Sequence, residues 1–133
     1  MAQVYISSAR KDLDLARRIA EALKAEGLSA SCGADGGDAQ EGGADMDAAK
    51  AVLVLWTPNA VGGDGGVASE RVAREAEEAR RRAVLVAARA GGARAPFAFQ
   101  RTPAADLEGW SGDRDANAWR VLVERLRAVT GEA

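Results

Sequence analysis

The chain has 133 residues, with 18 basic and 20 acidic side chains, no histidine and one cysteine. This length is typical of one domain, and we expect residues 1–133 to form it. The composition excludes imidazole general bases, Ser-His and Cys-His nucleophile pairs, His/Cys zinc sites and disulfide frameworks. Acid–base chemistry would have to come from carboxylates. The nearly balanced charge argues against a nucleic-acid partner.

The sequence also predicts a cytoplasmic protein. One unpaired cysteine fits a reducing compartment, and Met1 to Lys11 contains no apolar segment of the kind that directs export. The longest purely apolar run extends from Ala51 to Trp56 and is far too short to span a bilayer. We therefore expect no membrane partner. We also expect no bound metal, because the chain lacks histidine and has only one cysteine.

Short apolar runs alternate with amphipathic helical patterns along the chain. The predicted elements, in chain order, are a strand at 4–6, a helix at 10–26, a strand at 28–32, a poorly marked helix around 46–49, a strand at 51–56, a helix at 69–82, a strand at 83–87 and a helix at 115–129. Alternation of this kind predicts an α/β fold with a doubly wound, mostly parallel sheet.

Two glycine-rich segments, 33–43 and 62–66, interrupt this order. A phosphate-binding loop would need a lysine and a hydroxyl after its last glycine, or glycines between the first strand and the first helix. Neither pattern occurs. Residues 33–47 contain five acids and no base, which would repel phosphate. The segments are therefore interpreted as flexible loops.

Ligands of open parallel sheets bind beyond the carboxyl ends of the strands. This rule selects Ser7 to Lys11, the loop 33–43 and residues 56–66 as one edge of the domain. Arg10 and Lys11 lie at a predicted helix start, where they could contact an anion or simply be solvated. Trp56 could equally be part of the core or a stacking surface for a ligand.

Glu75 is the carboxylate of most interest. On a helix that starts near Ser69 it lies beside Val72 and Ala76 and borders the predicted buried face. A half-buried carboxylate beneath a loop could hold ribose hydroxyls and stabilise an oxocarbenium-like transition state. Spacing alone nevertheless favours an ordinary exposed glutamate.

Several segments together resemble a bacterial TIR (Toll/interleukin-1 receptor) domain. They include Val4-Tyr-Ile-Ser-Ser-Ala-Arg-Lys-Asp12, Ala51-Val-Leu-Val-Leu-Trp-Thr-Pro-Asn59, Ser69-Glu-Arg-Val-Ala-Arg-Glu75 and Gly109-Trp-Ser-Gly-Asp113. The resemblance covers nearly the whole chain in the expected order. It implies a flavodoxin-like sandwich with a five-stranded, mostly parallel sheet.

The resemblance also implies chemistry. Many bacterial TIR domains cleave NAD+ to nicotinamide and an ADP-ribose product, often in antiphage defence, and many assemble through TIR–TIR contacts. NAD+ is then a substrate and no cofactor is needed. Glu75 aligns with the family's catalytic glutamate, and Ser69 matches the serine in the family pattern that precedes this glutamate. Residues 33–43 correspond to the BB loop, which gates the site and mediates assembly. The residues assigned to substrate binding are Ser7, Arg10, Lys11, Trp56, Ser69 and Arg71.

The chain departs from the family pattern at two single positions. Arg71 stands where the family usually has a tryptophan, and Ser8 stands where a tyrosine is common. In addition, the BB loop lacks the usual basic and aromatic residues, and the helix after that loop is poorly marked. Two hypotheses follow. One is an NAD+ glycohydrolase that is active on self-assembly; the other is a non-catalytic TIR–TIR interaction module with a degenerate site.

Overall fold

A computed structural model describes residues 3–8, 12–32, 49–57, 70–91, 104–107, 110 and 112–131. The elements in these ranges are β1 (Val4–Ser7), α1 (Leu13–Ala25), β2 (Ala30–Cys32), β3 (Ala51–Trp56), α2 (Glu70–Arg81), β4 (Leu85–Arg89), β5 (Ala104–Asp106) and α3 (Asn117–Thr130). The predicted helix around 46–49 lies outside the described residues except for Ala49.

The five strands form one sheet in the order β2-β1-β3-β4-β5, and every neighbouring pair is parallel. This is the strand order of flavodoxin-like folds. The predicted α/β class and the five-stranded parallel sheet are confirmed. β1 lies between β2 and β3, and Tyr5 pairs with Val52 of β3.

Alternation along the strands supplies a core on each face of the sheet. On one face, Val4 and Ile6 pack with the apolar sides of α1 and α3. On the other face, Tyr5 packs with Val52, Val54 and Trp56 of β3 and with the apolar side of α2. Odd-numbered residues of β1 therefore point towards α2, because successive strand residues face opposite sides.

Helices α1 and α2 end in the same kind of turn. Gly27 and Ala83 adopt left-handed conformations, with φ of 88° and 59°. In each turn the following amide donates to the carbonyl five residues back, as in a Schellman motif; these bonds are Leu28 N–H to Leu23 O and Val84 N–H to Ala79 O.

This turn explains why one strand begins and ends later than predicted. The strand expected at 83–87 is Leu85–Arg89 in the structure, because residues 82 and 83 complete the end of α2. Gly27 marks the end of α1 in the sequence, whereas alanine at position 83 gives no such signal.

Two tryptophans pack together on the face of the sheet that carries α1 and α3. The rings of Trp110 and Trp119 are stacked, with centroids 4.8 Å apart and an interplanar angle of 12°. Trp119 is fully buried, and Trp110 covers it at the surface.

Among the described helices, none combines the length and the apolar character needed to cross a bilayer.

Candidate functional site

The candidate site begins with two hydroxyl-bearing residues on β1. Tyr5 and Ser7 are two positions apart on the strand, so their side chains leave the same face of the sheet. Both are fully buried. A buried phenol or hydroxyl needs a hydrogen-bond partner, because burial without one costs free energy.

Helix α2 supplies that partner. Val72, Ala76 and Ala79 recur at helical spacing and pack against the sheet, which brings Glu75 to the same side of the helix. Glu75 is only 8% exposed. Glutamate is rarely this buried unless it is well hydrogen-bonded.

Each oxygen of the Glu75 carboxylate accepts a different hydroxyl from β1. The Tyr5 phenol donates to Oε2 over 2.7 Å, and the Ser7 hydroxyl donates to Oε1 over 2.7 Å. Hydrogen bonds to an ionised acceptor are short and strong. The two donors hold the plane of the carboxylate in one orientation against the sheet.

The other described acids of α2 are placed differently. Glu77 forms an ion pair with Arg80, and the hydrogen bond from that guanidinium lowers the pKa of the Glu77 carboxyl. Glu78 is exposed. Of these three carboxylates, Glu75 is the one that turns inward and meets the sheet.

A second polar contact lies at the carboxyl ends of the strands. Thr57 follows β3 and its hydroxyl donates to Oδ2 of Asp12, the residue that precedes α1. The Asp12 side chain makes no capping hydrogen bond to its own helix. Its carboxylate instead connects the start of α1 to the end of β3.

The structure brings two of the predicted site residues together, Ser7 and Glu75. The expectation from spacing alone, that Glu75 is an ordinary exposed glutamate, is wrong, because the helix presents it to β1. Trp56 is 1% exposed and packs in the core between the sheet and α2. Of its two alternatives, the geometry therefore favours packing over a stacking surface.

The remaining predicted site residues cannot be placed by their side chains. Arg10, Lys11 and Ser69 lie outside the described residues, as does the loop 33–43. Arg71 belongs to α2, but its side chain is outside the described part. Their roles stay predictions.

Sequence reasoning missed Tyr5, Asp12 and Thr57. Tyr5 carried a usable signal, because it alternates with Ser7 and a tyrosine on a buried strand requires a polar partner. Asp12 and Thr57 carried none, since their contact joins residues 45 positions apart. Among the described residues, no group of three Cys, Asp or Glu side chains is placed to hold a metal ion.

Comparisons with known proteins agree with this architecture. A metazoan TIR-STING receptor from C. gigas, solved in complex with 2',3'-cGAMP, has a similar fold, with a TM-score of 0.67 and 13% sequence identity. The match covers 98% of this chain and 40% of that receptor chain, so the chain spans less than half of its length. A search of curated proteins found no match. The family model described as "TIR domain" matches residues 4–123. The chain therefore belongs to the TIR domain family.

Proposed function

We propose that this TIR domain is an NAD+ glycohydrolase that breaks the bond between nicotinamide and ribose, with Glu75 as its catalytic residue. One observation carries the proposal: Glu75 is only 8% exposed, and both oxygens of its carboxylate are held by hydroxyl donors on the interior strand β1. A buried, oriented carboxylate is the group that this reaction requires.

The reaction needs no residue type that the chain lacks. The C1′–N bond of the ribose breaks, and its electron pair leaves with nicotinamide, which departs as a neutral base. Positive charge develops on the ribose ring, as in other glycosidic cleavages, and a nearby carboxylate stabilises it. The oxygen of a water molecule then bonds to C1′ and releases one proton, giving ADP-ribose.

The hydroxyl partners of Glu75 also support this substrate class. Ribose presents hydroxyl groups, which are the same kind of donor that Glu75 accepts from Tyr5 and Ser7. A ribose hydroxyl can therefore take the place of one of them. The low dielectric of a buried position makes the carboxylate more effective towards a developing positive charge than it would be in water.

Further residues have roles in this reaction that are predicted from the sequence. Arg10 or Lys11 contacts the diphosphate, Ser69 and Arg71 contact the substrate, and the loop 33–43 closes over the site. Activity depends on self-association or on another TIR domain, in cytoplasmic bacterial signalling or antiphage defence. The family membership supports the assembly part, since TIR domains commonly self-associate.

The direct test follows nicotinamide release from NAD+ by chromatography, using protein at concentrations where sedimentation shows self-association. Wild type is compared with Glu75→Gln and with Glu78→Gln, a matched change at an exposed position of the same helix. We expect release by wild type and Glu78→Gln and loss of release by Glu75→Gln. Equal release by all three proteins would overturn the assignment of Glu75.

A second candidate function is a non-catalytic TIR–TIR interaction module. The same hydrogen bonds favour it, because a carboxylate tied to β1 through both oxygens also serves to fasten α2 to the sheet. Arg71, at the position where the family usually has a tryptophan, points the same way. This candidate predicts self-association, or capture of another TIR domain, without turnover of NAD+. A protein that stays monomeric and captures no TIR domain would exclude it.

A further inference from the structure

We infer that Tyr5 is a positioning residue that anchors Oε2 of Glu75, and that Glu75 meets the substrate through Oε1. The inference rests on the proposed NAD+ cleavage and adds to it the residue that orients the carboxylate and the oxygen that reacts. Neither role was predicted from the sequence.

The anchor, Tyr5, is held rigidly. Tyr5 is fully buried in the middle of β1 and packs with Val52, Val54 and the apolar side of α2. An aromatic ring has only two side-chain torsions, and dense packing restricts both. Its phenol oxygen therefore has a fixed position, 2.7 Å from Oε2 of Glu75.

The donors to the two oxygens of Glu75 stand at different positions along β1. Ser7 lies two residues beyond Tyr5, about 6.6 Å further along β1 at roughly 3.3 Å per residue, and it is the last residue of the strand. Substrates of parallel α/β sheets bind beyond the carboxyl ends of the strands. Oε1, which accepts the Ser7 hydroxyl, is thus the oxygen on the substrate side.

Ser7 and Tyr5 differ in how easily a substrate hydroxyl can replace them. A serine hydroxyl rotates freely about its own bond and can turn to another acceptor. The Tyr5 phenol cannot leave Oε2 without moving a packed ring. A ribose hydroxyl would accordingly replace Ser7 at Oε1, while the bond from Tyr5 keeps the carboxylate oriented throughout the reaction.

The kinetic consequence separates Tyr5 from Ser7. Tyr5→Phe keeps the ring and removes the hydrogen bond to a charged group, so we expect kcat to fall about 10- to 100-fold with KM nearly unchanged. Ser7→Ala removes the exchangeable donor, so we expect a lower KM, because the substrate no longer displaces a bonded hydroxyl. Thr130→Val serves as the control, since it deletes another buried hydroxyl on α3, across the sheet from Glu75. We expect it to leave both constants unchanged.

The hydrogen bond between Tyr5 and Glu75 can also be monitored without measuring enzyme activity. Tyr5 is the single tyrosine of the chain, so the tyrosine Fermi doublet in the Raman spectrum reports its phenol alone. The intensity ratio of this doublet changes with the strength of the acceptor. We expect a change of the ratio in Glu75→Gln and no change in wild type when ADP-ribose is added, because the ligand approaches Oε1.

The outcomes distinguish this inference from the proposed function. An active wild type with lowered kcat in Tyr5→Phe and a doublet unaffected by ADP-ribose supports the inference. An active wild type with unchanged kcat in Tyr5→Phe, or a doublet that shifts with ADP-ribose, overturns it and leaves the NAD+ assignment standing. No release by wild type overturns the proposed function. The Raman doublet then still tests whether Tyr5 anchors Glu75. A changed intensity ratio in Glu75→Gln supports the anchor, and an unchanged ratio overturns it.

Discussion

The phenol of Tyr5 donates to Oε2 of Glu75 over 2.7 Å, between residues 70 positions apart in the sequence. This bond joins the interior strand β1 to the middle of α2, and both residues are buried. The candidate site is therefore built into the core between β1 and α2. Changes to its polar groups are expected to affect the stability of the domain as well as its chemistry.

The first prediction concerns how much the hydrogen bond between Tyr5 and Glu75 contributes to the free energy of unfolding. We expect Tyr5→Phe to lower the free energy of unfolding in urea by about 1.5 to 3 kcal/mol, because a buried carboxylate loses a donor. In a Glu75→Gln background the same change should cost less, since the charged acceptor is gone. The double-mutant cycle should then give a coupling of about 0.5 to 3 kcal/mol. Strictly additive effects of the two changes would contradict a hydrogen bond between these side chains.

The second prediction concerns Trp56. As a fully packed core residue it should be costly to truncate, and we expect Trp56→Ala to lower the free energy of unfolding by about 3 to 5 kcal/mol. Trp110→Ala is the matched control, because Trp110 is only half-buried and loses one stacked contact with Trp119. It should cost clearly less. Equal losses for both variants would contradict the core position of Trp56. A stable Trp56→Ala protein with a raised KM for NAD+ would favour a stacking surface instead.

The third prediction concerns the link between Asp12 and Thr57. Thr57→Val removes the hydroxyl that connects the end of β3 to the start of α1. We expect faster amide hydrogen exchange in the first turn of α1, because local opening there becomes easier, and a loss of about 1 kcal/mol in overall stability. Thr130→Val, a matched threonine change at the end of α3, should leave the exchange of α1 unaltered. Unchanged exchange at the start of α1 in Thr57→Val would show that this bond does not hold the helix.

The fourth prediction concerns the left-handed residues at the ends of α1 and α2, where opposite substitutions should have opposite effects on stability. Ala83→Gly should raise the free energy of unfolding by roughly 0.5 to 1 kcal/mol, because glycine adopts a φ of 59° without the penalty that a Cβ brings. Gly27→Ala should lower it by about 1 kcal/mol. Within the part of the chain that the structure describes, no atom outside Gly27 and its two chain neighbours lies within 4 Å of a Cβ placed on Gly27. That loss would therefore come from the backbone conformation. Opposite signs of the two effects, measured by thermal or urea unfolding, are the expected result, and equal signs would contradict it.

The parts of the fold that sequence patterns predict are those with local causes. The continuous apolar run Ala51–Trp56 predicts a buried parallel strand with the bounds that the structure has. Gly27 marks the end of α1. The edge strand β5 is a different case, because Ala104–Asp106 has neither β-branched nor aromatic residues. The resemblance to TIR domains, rather than the local pattern, led to the expectation of a fifth strand.

The candidate site was predictable only in part, for a related reason. Helical spacing places Glu75 at the border of the buried face but cannot say what it meets there. Its partners Tyr5 and Ser7 lie about 70 residues earlier, and the parallel pairing of β1 with β3 decides where they stand beside α2. The resemblance selected Glu75 among the acids of the chain. The hydroxyls that hold it became visible only in the structure.

The central claim is that Glu75 performs the chemistry, and its most direct test is the initial rate of nicotinamide release from NAD+ by self-associated wild type and Glu75→Gln. The account predicts release by wild type and a rate at least about 100-fold lower in Glu75→Gln, the usual effect of removing a group that stabilises transition-state charge. Circular dichroism should show that Glu75→Gln keeps its helices. Equal rates in the two folded proteins, or no release by either, would contradict the account.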